Sequence, residues 1–165
     1  MPPLILDVRP MKNQPIDWST GEVLLGGKRL VVGPYFTYER LCRLSFRWRV
    51  KISHCRPAEG SVIHFAKVRR PREFDGIFFE VLLEFLDSRL DTVDLCALTY
   101  SDGRRWDKRT DLKETTRRNI HEEWLERILG PPPEYFEYSF PWGMVMSIND
   151  PREESEACVK IKYRK

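Results

Sequence analysis

Apolar residues recur with two different spacings along this chain, and each spacing predicts a different kind of element. From Ile77 to Phe85 every second residue is apolar, whereas Glu80 and Glu84 occupy positions between, as in a strand with one buried face. Because short connections join most successive strands, we expect antiparallel pairing in a meander. Further strands are predicted over residues 62–68, 90–100, 142–148 and 157–163.

The N-terminal third predicts a hairpin, a short helix and one more strand. Residues 23–25 and 30–32 are apolar and flank Gly26-Gly27-Lys28, whose glycines supply the positive φ that a tight hairpin turn requires. Thr37 is placed to cap a short helix. Over residues 47–52 basic and apolar residues alternate, which predicts a strand with one wet, basic face.

The long helical spacing lies in the second half of the chain. Asp111 begins a capping box, and apolar residues recur every four positions from Ile120 to Ile128. Gly130 followed by the prolines at 131–133 ends this helix, because glycine accepts the left-handed cap and proline prevents further helical turns. One amphipathic helix of about five turns is therefore expected here.

These elements together predict the fold class. The expectation is an α+β protein in which one long helix and one short helix pack on one face of a mostly antiparallel meander sheet. Residues 1–165 are expected to form a single domain, because this length suits one hydrophobic core. Trp106 and Trp142 are expected to pack around the long helix together with Trp124.

Composition narrows the class of protein. The chain is 41% hydrophobic and 12% aromatic, which excludes a disordered chain. The net charge of +3 comes from 28 basic and 25 acidic residues, a smaller basic excess than a dedicated DNA-binding domain usually has. The longest apolar stretch, 77–86, is interrupted by two glutamates, and the first residues lack a basic leader, so we expect a cytoplasmic protein without a membrane anchor.

The four cysteines do not form a metal or redox motif. Cys42, Cys55, Cys96 and Cys158 are far apart in the sequence, and no two of them have C-x-x-C spacing. We expect thiols that pack as small apolar side chains. Disulfides are the alternative, although a domain of this size does not require them.

The chemistry-bearing motifs are few. The sequence has no Gly-x-Ser-x-Gly elbow, and Gly26-Gly27-Lys28 lacks the upstream glycine of a phosphate-binding loop. Adjacent His54 and Cys55 would face opposite sides of a strand and therefore make a poor catalytic pair. We therefore expect no catalytic residue, no metal and no cofactor.

One acid and imidazole set keeps an enzyme open as an alternative. Glu114 and His121 are seven residues apart, so they lie on one face of the predicted long helix, two turns from each other. Asp150 follows in a later turn and supplies a second carboxylate. A site of this kind requires all three side chains to reach one ligand.

Basic residues form the candidate partner-binding set. They lie on two predicted strands and in the loop after a third, and if the two strands are neighbours, their wet faces form one basic surface. Nucleic acid is the alternative ligand, but RNA-binding sheets interleave stacking aromatics with the charges, and here the aromatic neighbours face inward. The predicted contact residues are Arg47, Arg49, Lys51, Arg69, Arg70, Arg72, Lys160 and Lys162.

A set of spaced residues also resembles one class of small bacterial proteins. The residues that carry the resemblance are Asp17-x-x-Thr20-Gly21-x-Val23, Gly27-Lys28, Trp106-Asp107, Glu114, Arg117-Arg118, His121, Trp124-Leu125, Leu129-Gly130, Trp142-Gly143, Asp150 and Ile161-x-Tyr163. This pattern resembles the immunity-type proteins of bacterial toxin systems, which are compact cytoplasmic domains that bind and block one toxin. The resemblance implies a non-enzymatic binding protein with a protein partner, and it assigns neither a toxin class nor a catalytic residue.

Three functions therefore remain open from the sequence. The leading hypothesis is a non-enzymatic, protein-binding domain of the bacterial immunity or inhibitor type. The first alternative is a nucleic-acid-associated accessory protein that uses a basic sheet face, and its affinity would fall steeply with salt. The second alternative is an enzyme with a site built from glutamate, histidine and aspartate.

Overall fold

A computed structural model describes residues 15–26, 30–48, 50–55, 60–98, 111–149 and 156–165. Neither of the two α-helices in these ranges is long and apolar enough to cross a membrane. A short 3-10 helix at Glu134–Phe136 follows the second α-helix. The remaining elements are β1 (Ile16–Asp17), β2 (Glu22–Gly26), β3 (Leu30–Val32), α1 (Tyr38–Trp48), β4 (Val50–Cys55), β5 (Ile63–Val68), β6 (Arg72–Phe74), β7 (Ile77–Leu86), β8 (Arg89–Ala97), α2 (Asp111–Leu129), β9 (Glu137–Phe140), β10 (Gly143–Ile148) and β11 (Cys158–Tyr163).

Most of the strands form one large antiparallel sheet. Seven of them follow the order β4-β5-β7-β8-β11-β10-β9, and β6 pairs with β7 beside this path. Successive hairpins build the sheet as far as β8, and α2 follows in the chain. β9, β10 and β11 then return from the far edge to β8. The predicted α+β fold with a mostly antiparallel, meander-like sheet is confirmed.

One face of the large sheet carries the core. On β7 the side chains of Phe79, Val81, Leu83 and Phe85 are fully buried, as their alternation predicts. The Phe79 ring lies 5.0 Å from the ring of Trp124 in α2, and the Phe85 ring lies 5.7 Å from that of Tyr38 in α1 (centroid distances). Both helices therefore cover the same face, which we call the covered face. Burying each phenylalanine side chain stabilises the fold by roughly 2 kcal/mol.

β1, β2 and β3 form a small sheet that also packs on the covered face. The pairing of β2 with β3 confirms the predicted hairpin, although its tip at residues 27–28 lies outside the described residues. The Tyr163 hydroxyl donates a hydrogen bond to the Gly21 carbonyl oxygen at 2.8 Å, and the Trp142 indole donates to the Trp18 carbonyl oxygen at 2.8 Å. Two buried hydrogen bonds thus fasten the small sheet to β11 and to the turn before β10.

Trp142 is buried in an aromatic cluster below the small sheet. Its ring stacks on Phe140 with centroids 4.8 Å apart, and Phe140 in turn stacks on Trp18. Trp18 lies 6.4 Å from Trp124, so the connection between Trp142 and the long helix runs through the small sheet. Trp106, which the sequence placed in the same cluster, lies outside the described residues.

The predicted strand from Arg47 is wrong at its start. Arg47 belongs to α1, which continues to Trp48 before β4 begins. Leu41, Leu44 and Trp48 are three or four residues apart, so the helical spacing persists through the segment in which basic and apolar residues also alternate. Arg49 lies outside the described residues.

Two short strands escape the sequence analysis. β6 lies where we expected a basic loop, and the positive φ of Asp75 and Gly76 shows that these residues turn the chain from β6 into β7. β9 contributes buried Tyr138 and Phe140 but spans only four residues after the prolines. Both strands are too short to display a convincing alternation.

A glycine pair gives a test of the sheet packing. A Cβ at Gly143 would lie 2.1 Å from the Lys162 carbonyl oxygen, a backbone atom of the neighbouring strand. We expect Gly143→Ala to lower the free energy of unfolding by more than about 3 kcal/mol, because β10 and β11 must separate. Gly130→Ala is the matched control: its φ of +84° is left-handed but no atom lies within 4 Å of the new Cβ, so the loss should be about 1 kcal/mol. Urea unfolding measures both, and equal losses would contradict the packing.

Candidate functional site

Glu114 is an internal anchor between α2 and the large sheet. Only 5% of the residue is exposed. One carboxylate oxygen, Oε2, accepts a hydrogen bond from the Ala157 backbone N–H at 2.6 Å, and the other accepts from Arg117 at 2.8 Å. Arg117 also lies 3.8 Å from the Glu156 carboxylate. These charge-assisted bonds fix the start of β11 against the helix.

His121 anchors the end of β8 in a similar way. It is fully buried, and its Nε2 accepts a hydrogen bond from the Ala97 backbone N–H at 2.9 Å. Burial lowers the pKa of His121 to about 4, and the nearby Arg117 guanidinium acts in the same direction. The imidazole is therefore neutral near pH 7, and because Nε2 accepts, its proton sits on Nδ1.

Only two of the three residues of the predicted enzyme site lie in the described part of the chain. Glu114 and His121 lie on one face of α2 as expected, but each is buried and each binds the backbone of a different strand. Asp150 lies outside the described residues. Among the described residues no group of three histidine, cysteine, aspartate or glutamate side chains is arranged to hold a metal ion.

The face of the large sheet opposite the covered face is the second candidate, and we call it the open face. In the described ranges both helices and the small sheet pack on the other side. Strand registers define two rows that each cross seven strands, from β4 to β9. The first row is Lys51, Lys67, Leu82, Asp94, Lys160, Met146 and Glu137. The second row is Ser53, Phe65, Glu84, Thr92, Lys162, Met144 and Ser139.

Three of the predicted contact residues lie on the open face. Lys51 lies on β4, and Lys160 and Lys162 lie on β11. The two strands are four positions apart in the sheet, which is about 19 Å at the usual strand spacing. The condition for one continuous basic surface, that these strands are neighbours, is therefore not met.

The predicted arginines are dispersed. Arg47 lies in α1, and Arg49 is outside the described residues. Arg69 and Arg70 are exposed in the connection between β5 and β6. Arg72 is half-buried and pairs with Phe79 across to β7, so its side chain belongs to the covered face. Arg69, Arg70 and Arg72 therefore do not belong to the two rows that carry the three lysines.

Acidic side chains stand between the lysines of the open face. Lys67 forms an ion pair with Glu80 at 3.0 Å, and Lys160 lies 3.5 Å from Asp94. The first pair is about half exposed, so water screens it and its contribution to stability is small. The open face thus carries charges of both signs. The lysines Lys67 of β5 and Lys160 of β11 each lie beside an acidic side chain of a neighbouring strand.

The pKa of Asp94 on this face is strongly perturbed. Burial raises its pKa to about 6, the Lys160 ammonium acts against this rise, and the Glu84 carboxylate adds to it. Burial is the largest single influence on the pKa of Lys160 and works to lower it, but Asp94, Cys158 and Glu84 together outweigh burial and the net shift is upward. Asp94 and Lys160 are thus already partly removed from water, and only 14% of the Asp94 side chain is exposed.

Four of the remaining positions of the rows are apolar, and the other three are Ser53, Thr92 and Ser139. Phe65, Leu82, Met144 and Met146 are half-buried, and Phe78 beside them is 40% exposed. The sequence analysis missed these residues and Asp94 because it looked for basic groups, although the alternation in β7 already places Phe78 and Leu82 on the same side as Glu80 and Glu84. Apolar groups with charges around them, including adaptable methionines, are typical of protein interfaces.

The pH dependence of stability tests the buried state of His121. Its pKa is lower in the folded chain (about 4) than its ordinary value of 6.5, so the unfolded chain binds the proton first as the pH falls. The free energy of unfolding of wild type should therefore fall by about 3 kcal/mol more than that of His121→Gln as the pH is lowered from 7 to 4. Urea unfolding at both pH values measures this difference. Leu125→Ala, a change at a buried neighbour that does not titrate, is the control and should be destabilised equally at both pH values. If wild type and His121→Gln show the same pH dependence of the free energy of unfolding, the lowered pKa of His121 is refuted.

The same measurement with Asp94→Asn should give the opposite sign. The pKa of Asp94 is raised from 3.8 to about 6 by folding, so the folded chain holds this proton more tightly. As the pH rises from 4 to 7, the free energy of unfolding of wild type should fall by about 3 kcal/mol relative to that of Asp94→Asn. Thr92→Val, a neighbour on the open face without a titrating group, serves as the control. A wild-type profile that parallels Asp94→Asn would show that this carboxyl is not desolvated.

Comparison of the chain with protein-family models, with curated proteins and with solved structures finds no match. The assignment of function therefore depends on the geometry of the two candidate sites and on the residue pattern described above.

Proposed function

We propose that this chain is a non-enzymatic protein-binding domain that contacts its partner through the open face. The observation that carries the proposal is the composition of the two rows, in which four half-buried apolar side chains lie among charges of both signs and three hydroxyl groups. Seven strands of about six residues span roughly 30 by 20 Å, or about 600 Å². This area is close to the roughly 800 Å² that each partner contributes to a standard protein interface.

The charge pattern favours a protein over a nucleic acid. A phosphate backbone carries charge of one sign and is bound by surfaces that are basic throughout. On the open face Glu84, Asp94 and Glu137 lie in the same rows as the lysines and would repel phosphate. A protein surface offers both signs and can therefore complement such a mixed pattern, which also speeds encounter.

The immunity or inhibitor type is the particular function that we propose. Its support is the residue pattern, which resembles small bacterial proteins that bind and block one toxin in the cytoplasm. Inhibition of this kind requires a complementary surface and no reactive group. The burial of Glu114 and His121 between α2 and the large sheet is compatible with that requirement.

Charge reversal on the open face tests the proposal. Lys51, Lys67 and Lys162 are exposed, so a triple change to Glu should leave the fold intact while repelling the partner's acids. Tagged wild-type protein is used for capture from the source cells in moderate salt with nuclease, followed by mass spectrometry. We expect one stoichiometric protein partner, with an affinity for the triple variant at least about 100-fold weaker.

Matched controls separate the face from net charge. Arg118, Arg127 and Arg40 are exposed on the helices, and their triple change to Glu alters the net charge by the same amount. This control should keep the partner. Equal loss of binding in both variants would remove the open face from the proposal, and a partner set that disappears with nuclease would favour the nucleic-acid alternative.

A further inference from the structure

Two cysteines face each other across neighbouring strands of the open face. Asp94 pairs with Lys160 and Leu95 pairs with Val159, so the same register sets Cys96 of β8 directly opposite Cys158 of β11. Cys96 pairs with Glu80 on its other side, which places both sulfurs on the open face. Both are present as thiols, and Cys96 is the more accessible because Cys158 is only 6% exposed.

The strand geometry suits a covalent link between them. Directly opposite residues of an antiparallel pair have Cα atoms about 4.5 or 5.5 Å apart, and disulfides accept roughly 4.4–6.8 Å. The Cβ atoms of such pairs are about 4.5–5.5 Å apart and need to approach by about 1 Å. The two thiols already share a hydrogen bond, which is the largest cause of the raised pKa of Cys96.

The surroundings favour a neutral product over a metal thiolate. Burial and the carboxylates of Asp94 and Glu156 raise the pKa of Cys96 further, so a thiolate is disfavoured at this position. A soft metal ion would require both sulfurs to be ionised and would find no third ligand among the described residues. The disulfide itself carries no charge and needs no third ligand, so ionisation opposes only the transient thiolates of its formation and not the product.

We propose that Cys96 and Cys158 are a reversible modification site, which a small disulfide such as glutathione disulfide converts into a cross-strand disulfide. The Cys96 thiolate attacks one sulfur of glutathione disulfide, and one glutathione thiolate leaves. The Cys158 thiolate then attacks the Cys96 sulfur, and the second glutathione leaves. Two protein thiols are oxidised, one glutathione disulfide is reduced, and the two protons end on the glutathione thiols.

The link would tie the end of β8 to the start of β11. It closes a loop of roughly 60 residues, and the chain-entropy model gives that length a stabilisation that corresponds to an increase of about 1–2 M in the urea midpoint. Because the thiolate is the attacking form, the reaction should be slow at neutral pH and accelerate as the pH rises. This inference is independent of the proposed partner.

Oxidation of the folded, full-length protein tests the site. Wild type incubated with glutathione disulfide should lose the mass of two hydrogen atoms, and peptide mapping should find Cys96 joined to Cys158. The urea midpoint should rise by about 1–2 M and return after reduction with dithiothreitol. Cys96→Ala and Cys158→Ala should each abolish the mass loss, and Cys42→Ala, the matched control in α1, should retain it.

Three results would overturn the proposal. The first is that both thiols of folded wild type remain open to alkylation after oxidation at high pH. The second is that the link maps to another cysteine pair and persists in Cys96→Ala. The third is a stable mixed disulfide of Cys96 with glutathione, because it would show that the Cys158 sulfur cannot reach its neighbour.

Discussion

The contact between Trp142 and Gly21 is the constraint on which the arrangement of the two sheets depends. A Cβ at Gly21 would lie 2.5 Å from the Trp142 ring, so only glycine allows the β1–β2 turn to rest on this indole. The φ of +75° at Gly21 is also one that other residues rarely adopt. Because the turn sits there, the Trp18 carbonyl oxygen reaches the indole N–H of Trp142, and the Trp18 ring enters the cluster with Phe140 and Trp124. One close approach thus holds the small sheet, the large sheet and α2 together.

Two buried polar groups, one on each face of the large sheet, produce titrations of opposite sign. Burial lowers the pKa of His121 on the covered side to about 4 and raises the pKa of Asp94 on the open side to about 6. Between about pH 4 and pH 6.5 the first makes folding more favourable as the pH rises, and the second makes it less favourable. Each effect is about 3 kcal/mol, so the two nearly cancel in the intact protein and its stability over this range is flatter than either site alone would allow.

The sequence predicts those parts of the fold that depend on local pattern. The alternation in β7 and the four-residue spacing in α2 identified the main strand and the main helix, because each pattern repeats often enough to exclude the other. The strand at Arg47 was misassigned, because Leu41, Leu44 and Trp48 satisfy the helical spacing over the same residues.

The order of the strands depends on contacts between segments that are distant in the sequence. This order determines which side chains lie together on the open face. Lys51 and Lys160 do lie on the same face of the sheet, as predicted. However, β5, β7 and β8 lie between their strands, and β7 and β8 contribute Leu82 and Asp94 to the same row. Nothing in the local spacing of β4 or β11 indicates which strands intervene. The mixed character of the open face was therefore beyond the reach of the sequence pattern.

Several residues of the immunity-type pattern share a buried position in the fold. Within the described ranges, Gly21, Glu114, His121, Trp124 and Trp142 are buried behind the covered face or beneath the small sheet. None of the pattern's described residues belongs to the two rows of the open face. A pattern of this kind can fix the fold while the rows vary, since a change at an exposed row position leaves the aromatic cluster untouched. If the open face binds the partner, the residues of the pattern determine the fold. The lysines, acids and methionines of the rows, which are not part of the pattern, then determine which target is bound.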